Sequence, residues 1–202
     1  IGSACAFHLQ EHGYEIVVFD NLETGDRSAV KSTFIEGDVR NIKDLDSVFS
    51  QYKFDAVLHF AAKIHPQESI KKPFDYFDVN FIGTIRLVRT MLKYNVKNLI
   101  FSSTAAVYGY VDNTPITENE VCNPETPYGM SKWVTELFLQ SLREHKILHV
   151  TCLRYFNAAG AIPSQNIGER EYVEKHLIPL AIDTGIKKRG HLNIYGADYP
   201  TP

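Results

Sequence analysis

Two rhythms of apolar and polar positions alternate along this chain. Short runs of β-branched and aromatic residues give way to longer stretches in which apolar residues recur three or four apart. The first rhythm suits strands buried on both faces, and the second suits helices packed over them. Residues 2–12 predict a helix that Gly13 ends, since glycine takes the left-handed end conformation without a Cβ penalty. The run YEIVVF predicts a strand closing on Asp20, and residues 33–35 predict a second. Helices over 41–52, 74–94 and from Tyr128 to about His145 alternate with strands over 56–61, 98–102 and 149–155. Strands separated by helices of this length run parallel, so the expected fold is α/β with a doubly wound parallel sheet. From Asn157 the pattern loses its regularity. Residues 1–156 therefore read as one domain and 157–202 as the beginning of a second, substrate-binding region.

Composition narrows the partners more than the fold. A net charge of −3 over 202 residues gives no electrostatic reason to expect nucleic acid or an anionic membrane. No apolar run reaches membrane-spanning length. Cys5, Cys122 and Cys152 are odd in number and far apart, which predicts free thiols in a reducing, cytoplasmic setting. The eight histidines lack metal-ligand spacing, so no metal site is expected. The chain opens on Ile1 and stops at Pro202 just after a strand-like run, and both ends read as cuts through a longer protein.

In doubly wound sheets ligands bind beyond the carboxyl ends of the strands, so the residues there carry the chemistry. Asp20 ends the first strand, where a carboxylate accepts from adenosine ribose hydroxyls and repels a 2′-phosphate. Asp38 follows the second strand and offers an acceptor to an adenine amino group. Phe60, Ala61 and Ala62 let backbone approach a ligand, and Ser102, Ser103 and Thr104 bring hydroxyls to the same edge. The segment TPYGMSK then places Tyr128 and Lys132 one helical turn apart. Alone, such a pair is an ordinary surface feature. With Thr104 on the preceding strand, the three can converge on one substrate oxygen. Tyr128 then acts as general acid and base, and the Lys132 ammonium and the positive ring of a bound nicotinamide both favour its phenolate.

These residues sit within FDNLETGDRS, EGDVRN, LHFAAKIHPQES, VNFIGT, FSSTAAVYG, TPYGMSK, LRYFNAAGA and HLIPLAIDTG. In that collinear order they resemble the extended short-chain dehydrogenase/reductases, and within them most closely the NAD-dependent enzymes that interconvert UDP-glucose and UDP-galactose at C4. The resemblance covers the whole chain. It implies Tyr128 as acid/base, Lys132 on the nicotinamide ribose and Thr104 on the sugar oxygen. Ile1, Gly2, Asp20, Asn21 and Gly25 would meet the pyrophosphate and adenosine ribose, and Asp38 and Val39 the adenine. Phe60, Ala61, Ala62, Lys63, Ile64, Asn80 and Phe156 would line the rest of the NAD site. Asn157, His176, Leu177, Asn193 and Tyr195 would hold the UDP-sugar.

Several departures accompany the resemblance. The Gly-rich loop is represented only by Ile1 and Gly2, and the strand before it is absent, which implies weak NAD binding by the 202-residue piece alone. Many members carry lysine where Ile64 stands, and asparagine is common where His176 stands. Ala105 and Ala106 follow Thr104 where sugar-nucleotide dehydratases need an acid and a base, so dehydration is disfavoured. Epimerases of UDP-linked N-acetylhexosamines, pentoses or uronic acids remain alternatives, as does a non-catalytic NAD-binding fragment. Phe81, Ile85, Leu137 and Phe138 exceed what one sheet face needs and suit the helix-to-helix homodimers of that family.

Overall fold

The computed structural model describes residues 1–112, 114–169, 176–194 and 196. Its elements follow the predicted alternation: α1 (Gly2–Glu11), β1 (Val17–Asp20), β2 (Thr33–Glu36), α2 (Ile42–Gln51) and β3 (Val57–His59). After these come α3 (Pro66–Lys71), α4 (Pro73–Phe77), α5 (Gly83–Lys93), β4 (Asn98–Thr104), α6 (Pro127–Glu144), β5 (His149–Tyr155) and α7 (Leu177–Gly185). All strand pairs are parallel, with β1 on β2 in one sheet and β3-β4-β5 in another. A single core serves both sheets. Leu45, Val48 and Phe49 of α2 meet Leu87, Val88 and Met91 of α5, Leu99 and Phe101 of β4, and Leu139 of α6, while Val17, Phe19 and Ile35 pack against the same cluster.

Local chemistry explains the boundaries. Asn41 caps α2 by accepting from the Lys43 amide at 3.0 Å, and Leu45, Val48 and Phe49 then recur at helical spacing on the buried side. At α6, Thr126 accepts from the Gly129 amide at 3.2 Å and Pro127 occupies the first turn, where its missing N–H costs nothing.

The long helix expected over 74–94 runs unbroken from Pro73 to Lys93 with one internal irregularity. Pro73 starts α4, and a π-helical turn at Asp78–Ile82 joins it to α5. The turn is held by two hydroxyls on the Asn80 carbonyl, Thr84 Oγ1 donating at 2.6 Å and Thr135 Oγ1 at 3.3 Å. Five residues of π geometry shift the apolar period too little for sequence periodicity to register, and such turns favour functional sites.

The chain divides into two compact units, Ile1–Ala158 and Ala159–Pro202. In the second, Ile162 and Ile167 form an antiparallel bridge and α7 carries exposed Leu177, Ile178 and Ile182.

Candidate active site

Parallel β4 and β5 run in register, so Ser102, Ser103 and Thr104 stand beside Leu153, Arg154 and Tyr155. Alternation along β4 sends neighbouring side chains to opposite faces. Ser103 accordingly turns to Glu136, away from the Thr104 side, and this corrects the expectation that all three hydroxyls share one crevice. Thr104 ends the strand and its Oγ1 accepts from the Ala106 amide at 3.2 Å. That turn brings the Ala106 carbonyl under the start of α6, where a Cβ on Gly129 would lie 2.7 Å from it. Gly129 was not singled out in the sequence, although it is the glycine of TPYGMSK. Its lack of a side chain lets Tyr128 approach Thr104. Gly129→Ala should therefore displace the helix start and lower turnover more than substrate affinity, checked by kcat and KM measured separately.

Tyr128 is buried, and the Thr104 side chain lies near enough to its hydroxyl to favour the ionised form. Its position is fixed from three sides. The amide of Tyr128 donates to Ser69 Oγ at 3.1 Å, the Tyr76 ring meets its ring edge-on at 6.3 Å, and Ser131 Oγ donates to its carbonyl at 2.8 Å. Tyr76, wholly buried, donates to Glu68 at 3.0 Å and accepts from the His65 amide at 3.1 Å. Ser69, Tyr76 and Ser131 carried no sequence signal, because their roles arise only where distant segments meet.

The electrostatics depart from the sequence expectation. Burial raises the pKa of Tyr128, and the Thr104 side chain opposes this. Lys132 is also buried, and desolvation pulls its ammonium down to about 7 against the upward pull of Glu136. Lys132 Nζ donates to the Ser102 carbonyl at 2.8 Å and lies 4.8 Å over the Phe101 ring. Burial of both side chains thus opposes the downward pull expected on Tyr128 from Lys132 and a bound nicotinamide ring together. Beneath them His59 is held neutral by burial and by Lys132, with its pKa lowered to about 3, and its Nε2 lies 2.9 Å from Thr84 Oγ1.

The cofactor candidates divide. Asp20 Oδ1 accepts from the Leu22 amide at 2.8 Å, and a Cβ on Gly25 would fall 2.7 Å from the same oxygen. Gly25 thus leaves the carboxylate an open cradle, which fits a diol ligand. Gly2, at the start of α1, lies against Phe60, with exposed Ile1 before it. The Ala61–Ile64 stretch is pinned through Lys63, whose amide donates to Asn80 Oδ1 at 2.8 Å and whose carbonyl accepts from Asn80 Nδ2 at 3.0 Å.

Asn80 is 1% exposed and also donates to Ser131 Oγ at 3.0 Å, so its amide braces the loop and α6. Asp38 receives Asn21 Nδ2 at 2.9 Å together with the Arg40 amide, Nε and Nη2, so Arg40 and Asn21 fix its carboxylate in place. Val39 is buried against Gly83. The Lys63 ammonium pairs with Glu23 at 2.7 Å, and Ile64 is exposed.

Phe156 follows β5 and is 61% exposed, with Asn157 exposed beside it. In the second unit His176 pairs with Glu169 at the start of α7, and Leu177 and Asn193 are exposed. Tyr195 lies outside the described residues. Among the described residues no helix is long and apolar enough to cross a membrane.

Comparison with known proteins gives the family. Residues 1–197 match the NAD dependent epimerase/dehydratase family. The UDP-glucose 4-epimerase of Halalkalibacterium halodurans is 42% identical across the whole chain, which covers 60% of that relative. The crystal structure of UDP-glucose 4-epimerase from Brucella ovis in complex with NAD superposes with a TM-score of 0.94 at 40% identity, covering 100% of this chain and 62% of that one. The enzyme from Bifidobacterium longum in complex with NAD+ and UDP gives 0.90 at 32% identity, covering 99% and 63%. The chain thus spans about 60% of the length of the curated relatives it matches, and it belongs to the NAD dependent epimerase/dehydratase family.

Proposed function

We propose that this family member is the dinucleotide-binding portion of a UDP-glucose 4-epimerase, an isomerase of galactose metabolism that works through a transient 4-keto sugar. The observation carrying the reading is the buried Tyr128 beside Thr104, with Lys132 buried one turn along α6. NAD, when bound, supplies the reversible hydride acceptor. Asp20, with Asn21 and Gly25 beside it, would hold the adenosine ribose, Gly2 and Phe60 would flank the pyrophosphate path, and Lys132 would hold the nicotinamide ribose. Thr104 would fix the substrate oxygen. Tyr128 would take the proton of the sugar 4-hydroxyl and return it to the same oxygen. Asn157 and residues of the second unit, His176, Leu177, Asn193 and Tyr195 among them, would hold the UDP-sugar.

The test is interconversion of UDP-glucose and UDP-galactose by the full-length protein, with UDP-linked N-acetylhexosamines, pentoses and uronic acids run beside them. Activity on one of those sugars alone would move the assignment to it, and no epimerisation of any would refute it. Asp20 predicts tighter binding of NAD than of NADP, because a carboxylate repels a 2′-phosphate. Equilibrium titration with both cofactors checks this, and tighter NADP binding would contradict it.

The half-exposed Leu137 supports a homodimer through these helices, while Phe138 packs against the core and meets Phe81 edge-on within the chain; a strictly monomeric full-length protein in sedimentation would exclude the dimer. Three free thiols suit a cytoplasmic location, which fractionation of the source cells would test.

A further inference from the structure

Glu136 stands one turn beyond Lys132 on the same face of α6, and it is buried. A carboxylate persists in an interior only when its charge and lone pairs are met. Two strands meet them here. Ser103 of β4 hydrogen-bonds Oε1, and Arg154 of β5 donates through Nε to both oxygens at 3.1 Å and through Nη2 to Oε2 at 2.6 Å. Arg154 is itself seated, donating to the Tyr108 hydroxyl at 2.9 Å with its guanidinium over the rings of Tyr108 and Trp133. Ser103 and Arg154 face each other in the strand register. The residue before Ser103 supplies the carbonyl that accepts from Lys132. The brace on Glu136 and the seat of Lys132 therefore share one dipeptide of β4.

We propose that Glu136, held by Ser103 and Arg154 one turn from Lys132 on the Tyr128 face of α6, is a positioning residue that favours the ammonium form of Lys132. The purpose of that charge rests on the acid/base reading above; the positioning itself does not.

The groups around Lys132 leave this task to Glu136. On α6 the other neighbour is Tyr128, a protonated phenol whose pKa burial raises. From β3 comes His59, neutral through burial. From β4 come a carbonyl and an aromatic face. On β5, Arg154 is positive and turned to Glu136, while burial and Glu136 keep the Cys152 thiol protonated. Cys122 lies near the same Arg154 and Glu136 pair, and burial raises its pKa as well. Glu136 is thus the anion that opposes the desolvation of Lys132.

The experiment is an NMR titration of the lysine Nζ signals in the full-length protein, with Lys132 assigned by its loss in Lys132→Met. Glu136→Gln should lower the Lys132 midpoint by on the order of one pH unit, the usual effect of losing an adjacent opposite charge. Arg154→Met breaks the same brace but spares the carboxylate, and it should leave the midpoint at or above the wild-type value. The double variant Glu136→Gln/Arg154→Met avoids an unpaired charge, and it should again show the lowered midpoint. A merely structural role would move the single variants alike. An unchanged midpoint in Glu136→Gln and in the double variant would overturn the inference. A lowered midpoint with no change in the pH profile of turnover would uphold it and count instead against the assignment of Lys132 to catalysis.

Discussion

Tyr128→Phe in the full-length protein should reduce turnover by a factor of about 10² to 10⁴, the usual contribution of a positioned proton-transfer group. The substitution removes one oxygen and little else. The edge-to-face contact with Tyr76 uses the ring, the bond to Ser69 uses the backbone amide, and Ser131 holds the carbonyl. Because burial raises the Tyr128 pKa, wild-type turnover should climb with pH as the phenol ionises, and the variant should lack that limb. Rate measurements across pH, together with thermal unfolding, separate chemistry from folding. Near-wild-type turnover in a folded variant would remove Tyr128 from the mechanism.

Arg154→Met should destabilise the fold by about 3 kcal/mol, toward the lower end of what breaking a buried ion pair costs. The Arg154 side chain keeps 21% of its surface in solvent and Glu136 keeps 7%, so the stranded charge is the carboxylate. Three elements lose their tie at once, since the pair joins α6 to β5 and, through Ser103, to β4. Adding Glu136→Gln should recover much of the loss, because a neutral amide in that place strands no charge. Denaturant unfolding of the wild type, both single variants and the double variant closes the cycle. A single-variant loss below about 1 kcal/mol, the value of a surface pair, would show that the pair is not effectively buried.

Periodicity and punctuation were enough to determine the helices at 2–11, 42–51 and 127–144 and the parallel strands between them, because their apolar spacing and caps are local properties of the chain. The spacing of Tyr128 and Lys132 and the strand-end positions of Asp20 and Thr104 were legible for the same reason. Tertiary structure decided what these groups experience. The interior that hides Tyr128 raises its pKa, and the same desolvation brings Lys132 down to about 7, which spacing cannot reveal. It also spent Asp38 on Arg40 and Asn80 on the Lys63 loop, since a polar side chain's partners come from segments far away in sequence. Glu136 and Gly129 lay inside a helix whose boundaries were legible, yet their importance comes from Arg154, Ser103 and the Ala106 carbonyl. Local pattern determines where a side chain starts, and the burial and partners that set its chemistry exist only once the strands and helices have packed.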